Sequence, residues 1–376
     1  VSALLTLLMV ASVAWVVAAL LSTASTVRHD PRAPRVRPGI SLLRPLAGAD
    51  PSLEQNLESL FRQAYPTFEI LLGVESSSDP AWALAERVRA RFPHVPSRIV
   101  ATGDDGAKNP KVRNLLGLLP VARFDLVVVS DSNVSVPEGY LDDLVATREL
   151  SGAGLVTSLI SCEGEEGLFG AVECAQIVGS CAPSACLPTA LGHAAVIGKS
   201  MLFSRVELES LGGLRKVADV LAEDFVLGKM YEHAGKRVAV ASRVISNVTG
   251  RVSASTCFAR QRRWAALRCR LSPVTFVLEG ATSPFVLAAL AALFAPNEGQ
   301  GLRVAIMLAT ILLRDVGGWV VLRGWRRAWI PLVVWPVKEA LVLAAWASAP
   351  FAKTLRWRGR SLRLGAGTIL YATEGR

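Results

Sequence analysis

No two cysteines of this 376-residue chain are spaced C-x-x-C, so Cys162, Cys174, Cys181, Cys186, Cys257 and Cys269 lack metal-ligand spacing. Spacing alone leaves disulfides open. The cytoplasmic chemistry argued below makes reduced, structural thiols the expectation. Zinc-finger, RRM and basic-zipper patterns are also missing, so nucleic acid is the weaker partner for a basic chain. Acidic residues are in the minority, with 41 Lys and Arg against 31 Asp and Glu and a net charge of +10. That balance suits an anionic membrane surface or phosphorylated substrates. Internal repeats and low-complexity stretches are absent too. What is abundant is apolar: 51% of residues are hydrophobic and the mean hydropathy is +0.39, too apolar for an ordinary soluble domain of this length.

Residues 1–27 carry no charge. At ~1.5 Å per residue the run exceeds the ~30 Å hydrocarbon core and can span it with some tilt. A cleaved signal peptide fits poorly, because no basic residue precedes the run and the run is too long. A retained anchor is expected. Arg28, Arg32, Arg35 and Arg37 follow it and put this flank in the cytoplasm by the positive-inside rule. Val1 in place of Met is read as an alternative start codon, which points to a bacterial inner membrane. After Pro273 the membrane signal returns in three stretches, Val274 to Pro296, Leu302 to Leu322 and Trp329 to Phe351. Arg314-Asp315 and Lys338-Glu339 interrupt them and are expected to pair or face protein, being costly against lipid. Basic residues flank the last stretch on both sides: Arg323, Arg326 and Arg327 before it, Lys353, Arg356, Arg358 and Arg360 after it. Both flanks ask for the cytoplasm, so either the last stretch re-enters or one of the three does not cross.

Between the apolar ends, short apolar runs (Val36 to Leu46, Phe68 to Val74, Ser97 to Ala101, Phe124 to Ser130) alternate with helical patterns around Ser52 to Ala64 and Ala81 to Phe92. This rhythm predicts an α/β domain with a mostly parallel, doubly wound sheet. Asp50-Pro51-Ser52 reads as a helix start. The domain organisation expected is an anchor over 1–27, a catalytic domain over 36–272, membrane segments over 273–352 and a basic tail over 353–376.

Four places carry candidate chemistry. The fourth apolar run ends in Ser130-Asp131-Ser132-Asn133, where open α/β sheets bind ligands beyond their carboxyl ends. A carboxylate there can hold Mg²⁺ or Mn²⁺ against a diphosphate; it can equally cap a helix or form a turn. The second run ends in Val74-Glu75-Ser-Ser-Ser-Asp79-Pro80, whose carboxylates suit uracil N–H or ribose hydroxyls. Asp79 alone reads more simply as a helix cap. Ala222-Glu223-Asp224 offers a carboxylate as general base, or merely an acidic helix start. Gln261-Arg262-Arg263-Trp264 lies in a basic run, where Arg can neutralise a departing diphosphate and Trp can wall an acceptor. An amphipathic interfacial helix explains the same residues.

In this order, Asp79, Asp131, Asp224 and Gln261-x-x-Arg263-Trp264 resemble the D…D…D…(Q/R)-x-x-R-W series of family 2-type and family 21-type glycosyltransferases, and most of all the ceramide glucosyltransferase family. Similar to that family's pattern too are Ile40 to Leu46 with Gly48 to Pro51, Asn109-Pro110-Lys111-Val-Arg-Asn114-Leu115, Phe124 to Leu126 running into Asp131-Ser132, Gly212-Gly213-Leu214, and Trp357-Arg358-Gly-Arg360. The resemblance covers nearly the whole chain. It implies a GT-A fold, an inverting mechanism, a UDP-sugar donor such as UDP-glucose, a divalent cation (Mg²⁺ or Mn²⁺) and a membrane lipid acceptor, ceramide. It assigns Asp79, with Glu75 beside it, to the nucleoside and Asp131 to the metal and diphosphate. Asn109 and Lys111 go near the donor. Asp224 becomes the base, and Gln261, Arg263 and Trp264 belong to the acceptor and diphosphate end. The neutral Asn133 stands where related enzymes carry a second acidic ligand, which weakens the expected metal affinity. The Cys-, Gly-, Ala- and Pro-rich stretch from Ser161 to Leu191 matches nothing closely and is where acceptor choice could differ. His193, just beyond it, is expected in a polar core or acceptor loop rather than in catalysis. Hopanoid-associated glycosyltransferases share much of the pattern, so a hopanoid or other polyprenoid acceptor is the close alternative. A membrane channel or polymer exporter would need more spans. A non-catalytic scaffold is disfavoured by acidic residues at all three sites.

Overall fold

The computed structural model describes residues 2–28, 33–50, 52–295, 297–357 and 360–372. Val1, Arg32, Pro51, Pro296 and Arg358 with Gly359, read above from sequence, lie outside the described residues.

The chain opens with a long apolar helix, α1 (Ser2–Arg28). The α/β layer then alternates β1 (Ile40–Pro45), α2 (Leu53–Phe61), β2 (Phe68–Val74), α3 (Pro80–Arg91), β3 (Ser97–Ala101), α4 (Pro110–Leu118) and β4 (Leu126–Ser130). It continues with β5 (Val134–Ser135), α5 (Tyr140–Ser151), β6 (Leu155–Glu166), α6 (Gly167–Gln176), α7 (Pro183–Ala190), β7 (Ser200–Ser204), α8 (Arg205–Ser210), α9 (Glu223–His233) and β8 (Val238–Arg251). The eight strands form one mixed sheet in the order β3-β2-β1-β4-β7-β6-β8-β5. β3, β2, β1 and β4 run parallel, as do β6 and β8, while β7 is antiparallel to both its neighbours. This is the mostly parallel, GT-A-type sheet expected from the alternating pattern.

β1, β2 and β4 are buried along their whole length, which is why they read as unbroken apolar runs: helices cover both faces. Glu69 is the exception inside β2, and it is satisfied there, accepting from Ser41 Oγ and the Arg123 N–H, each at 2.7 Å. β3 is the edge strand and is half exposed, with Arg98 facing outward. The first strand starts later than the apolar run suggested, at Ile40 rather than Val36, because Pro38 cannot donate to a ladder and Val36 is exposed.

Beyond the sheet, α10 (Ala254–Leu271) leads into α11 (Pro273–Ala281) and α12 (Pro284–Phe294), which bend by 51° at their junction, then α13 (Gln300–Arg323) and α14 (Ile330–Ser348). Among the described residues three helices, α1, α13 and the one beginning at Ile330, are long and apolar enough to cross a membrane, and the bent pair would make a fourth. The far halves of α1, α12 and α13 share a core of Leu5, Met9, Leu287, Ala291 and Met307. The start of α14 instead joins the main core of the sheet through Ile330 and Val334. Arg323 and Arg327, just before it, reach Glu165 at the end of β6. The charged residues inside α13 and α14 do pair, as their cost in lipid requires: Lys338 Nζ lies 2.7 Å from Asp315 and 2.8 Å from Glu339, and Arg314 bridges the same two carboxylates. A small three-stranded sheet, β9 (Thr354–Trp357), β10 (Arg360–Leu364) and β11 (Leu370–Ala372), closes the described chain.

Candidate functional site

The carboxyl ends of β1, β2 and β4 form one rim, and the loops leaving it are pinned by side chains rather than by further ladder. Arg44, fully buried on β1, donates to Ser130 Oγ at 3.2 Å and to the carbonyls of Ser132 and Val134 at 3.1 and 2.6 Å. Burial pushes its pKa down to about 10, with Asp131 acting in the other direction. The turn that presents Asp131 is thereby fixed before any ligand arrives.

Asp131 meets Lys111 there. Asn109 caps α4, its Oδ1 accepting from the Lys111 and Val112 N–H groups at 2.9 and 3.2 Å, and Pro110 sets the first turn. The cap turns Lys111 toward the sheet edge. Its ammonium uses all three donors: Asp131 Oδ1 at 2.9 Å, Glu223 Oε1 at 2.8 Å and the Gly198 carbonyl at 2.6 Å. Burial alone would lower its pKa, but Asp131 and Glu223 outweigh that and hold it above the ordinary lysine value. Glu223 also accepts from Asn109 Nδ2 at 3.3 Å, and its desolvation raises its pKa.

Asp224, next along α9, points to the same loop from the other side. Its Oδ2 accepts from the Gly198 N–H at 2.8 Å and its Oδ1 from the Phe225 N–H at 2.8 Å. Gly198 therefore joins Asp224 through its N–H and Lys111 through its carbonyl. Lys199 follows, donating to Asn133 Oδ1 at 2.7 Å and lying 3.9 Å from Asp131. Burial, opposed by Asp131 and reinforced by Lys111, Arg263 and Arg260, lowers its pKa to about 8. The last two influences place Arg263 and Arg260, on α10, within electrostatic reach of Lys199. Asp131 at the strand end thus meets Lys111 and Lys199 directly and feels the charge of buried Arg44, a cationic surrounding suited to a phosphorylated ligand.

The other sequence candidates sit differently. Asp79 lies at the same rim two strands away, at the end of β2. It caps α3 through the Ala81 N–H at 2.8 Å and accepts the Gly48 N–H at 2.9 Å, so it shapes the loop after β1. Glu75 is exposed and accepts from Arg113 at 2.5 Å. Gln261 is buried on α10, and its Nε2 has no hydrogen-bond partner among the described residues. Trp264 packs its partly buried ring against the main core rather than standing free as a wall. His193 is exposed, 3.5 Å from Glu232, and so belongs to a surface loop and not to a polar core. Glu223, Lys199 and Arg44 are site residues that the sequence did not single out.

The donor set bears on the cation. Among the described residues there is no group of three or more His, Cys, Asp or Glu side chains able to hold a metal ion. The Asn133 amide is spent on Lys199 and on Asn247 Oδ1, 3.1 Å from its Nδ2. Asp131 alone remains, which fits Mg²⁺ or Mn²⁺ bound through one carboxylate and a substrate's own phosphates, with no protein cage.

The chain is 27% identical to ceramide glucosyltransferase 1 of Caenorhabditis elegans over 338 residues, covering 88% of this chain and 72% of that protein. A stretch of 107 residues is 41% identical to the ceramide glucosyltransferase of Komagataella phaffii, covering 27% of this chain and 21% of that one. A mannosyltransferase from Pyrobaculum calidifontis, solved in complex with GDP-Man and Mn²⁺, superposes with a TM-score of 0.53 at 18% identity, covering 94% of this chain and 99% of that one, and so shares the fold. The model of glycosyl transferase family 21 matches residues 4–370, and the chain belongs to that family as a membrane-associated hexosyltransferase.

Proposed function

We propose that the protein transfers glucose from UDP-glucose to a hydroxyl of ceramide, with inversion, from a catalytic domain facing the cytoplasm. The observation that carries this reading is the single ammonium of Lys111 joining Asp131 to Glu223, with Asp224 held on the same loop. It supports a diphosphate site and a general base side by side. The names of the nematode and yeast relatives support the sugar and the lipid.

In this reading the nucleoside lies over the loop that Asp79 fastens at Gly48, beside Glu75. Asn109 sets the α4 start, so Lys111 can hold Asp131 in place. Lys199, Arg263 and Arg260 take up the negative charge that grows on the leaving diphosphate. Asp131 would hold Mg²⁺ or Mn²⁺, which would supply further positive charge at that diphosphate. Asp224 accepts the proton of the lipid hydroxyl. The hydroxyl oxygen bonds to the anomeric carbon from the face opposite the departing UDP, and the C–O bond to the diphosphate breaks. Two of the carboxylate's lone-pair directions are taken by backbone N–H groups, which leaves room for that proton. Gln261 and Trp264 stand at the acceptor end of α10, near the membrane helices.

Asp224→Asn is the direct test. UDP-glucose binding, read by titration calorimetry, stays near the wild-type value. Transfer of labelled glucose to ceramide falls by roughly 10²–10⁴-fold, the span of a general base. Undiminished transfer would remove Asp224 from the mechanism.

A further inference from the structure

We infer that the carboxyl-terminal sheet completes the active site, with Thr368 as the positioning residue for the start of α9; the inference rests on Asp224 being the base. The stretch 219–222 delivers Glu223 and Asp224 to the site, yet it belongs to none of the named strands or helices. It is held from two sides. On the donor side, Asn109 donates from its backbone to the Ala218 carbonyl at 2.9 Å and from its side chain to the Val220 carbonyl at 2.7 Å. Opposite, Leu221 donates to the Thr368 carbonyl at 3.0 Å, Leu370 donates to the Asp219 carbonyl at 2.7 Å, and Val220 bridges Ile369 in antiparallel fashion.

The final contact is the informative one. Ala222 is the N-cap of α9 and has no side chain able to cap. Its own N–H is taken by Thr368 Oγ1 at 3.3 Å. That is the service a capping-box side chain gives within a helix, supplied here from a distant part of the chain. Thr368 does this from a conformation a β-branched residue rarely adopts, φ 62°, while fully buried. Strain of that kind persists where the surroundings over-determine it, and it gathers at functional sites. The same small sheet packs Leu362, Leu364 and Leu370 with Leu221 and with Ala265 and Ala266, which directly follow Trp264 on α10. Both halves of the site, the base and the Gln261–Trp264 segment, thus lean on one tail.

The experiment uses the full chain in lipid or detergent. Thr368→Val keeps the branched volume and removes the hydroxyl; Thr368→Ser keeps the hydroxyl; Thr368→Gly removes it while relaxing the backbone. The expected result is that Val and Gly lower kcat about tenfold, equivalent to ~1.4 kcal/mol, with the KM for UDP-glucose unchanged and Ser restoring the rate. Gly keeps the test alive should Val fail to fold. Equal kcat for Val, Gly and Ser, or a loss confined to Tm, overturns the inference. Asp224→Asn run alongside separates the two failures: active Asp224→Asn refutes the base, whereas inactive Asp224→Asn beside normal Thr368→Val and Thr368→Gly refutes only the positioning.

Discussion

At the level of single residues, Gly198 is where size bears on the proposed base. Its N–H and carbonyl serve Asp224 and Lys111, and a Cβ placed on it would lie 2.6 Å from Asp224 Oδ2 and 2.9 Å from Asp224 Cβ. Gly198→Ala therefore moves the carboxylate of the proposed base. A displacement near 1 Å can cost on the order of 10²-fold in rate. Steady-state kinetics should show kcat falling by about that factor with donor affinity kept; an unchanged kcat would mean that Asp224 needs no fixed position. Individual site residues were legible in the sequence only where a pattern flanked them. Asp131 sits at the end of an apolar run, and Asn109 and Lys111 stood out through a family resemblance. Glu223 did not, because spacing cannot tell which of two adjacent carboxylates on a helix turns inward. Lys199 has no flanking signal, and Arg44 lies in a mostly apolar run, Ile-Ser-Leu-Leu-Arg-Pro, that reads only as a strand.

Single elements tie the catalytic layer to the apolar helices, and one of these ties depends on pH. Glu165 ends β6 and is gripped by Arg323 at the end of α13, 2.9 Å away, and by Arg327 at 3.3 Å. Burial acts to raise its pKa, but the hydrogen bonds from Arg323 and Arg327 win and hold the carboxyl below its ordinary 4.5. A group with a lowered folded pKa stabilises fully above the unfolded value and loses that contribution as pH falls through the folded one. Glu165→Gln should accordingly lower Tm at pH 7, and the gap to wild type should close as the pH drops below about 4.5. A gap independent of pH would show that charge is not what holds β6 to α13. Strands β1, β2 and β4 were readable because two-sided burial makes them nearly continuous and apolar. β6 and β8 were not. β8 is partly exposed along most of its 14 residues, and β6 ends in Cys-Glu-Gly-Glu-Glu, so neither shows an apolar run or a clean alternation.

For the molecule as a whole, the basic flanks on either side of α14 asked for the same side of the membrane. Both do contact the catalytic layer: Arg323 and Arg327 through Glu165, and the far end through Ala352, whose carbonyl accepts from Arg270 at 2.6 Å, and through the tail strands at 219–222. α14 packs against α6, α10 and α13 and is long and apolar enough to cross, but these contacts at both its ends predict that it does not. Single cysteines introduced at Trp325 and Lys353 in a cysteine-free background should react with an impermeant maleimide from the same side as the catalytic domain. One at Glu298, between α12 and α13, should react from the other side. Labelling of positions 325 and 353 from opposite sides would establish α14 as a true span. Hydropathy could not decide this, since it measures length and apolarity and not which surface a helix rests on.

The pairing of Ala222 with Thr368 spans 146 positions. A ribosome therefore releases Asp79, Asp131, Asp224 and the whole Gln261–Trp264 segment, and threads every apolar helix toward lipid, before it makes the threonine that closes the turn ahead of the base. A nascent chain paused after α14 would carry every candidate site residue from Asp79 to Trp264 while α9 still lacked its cap. If the inference holds, such a half-made copy would turn over more slowly than the finished chain.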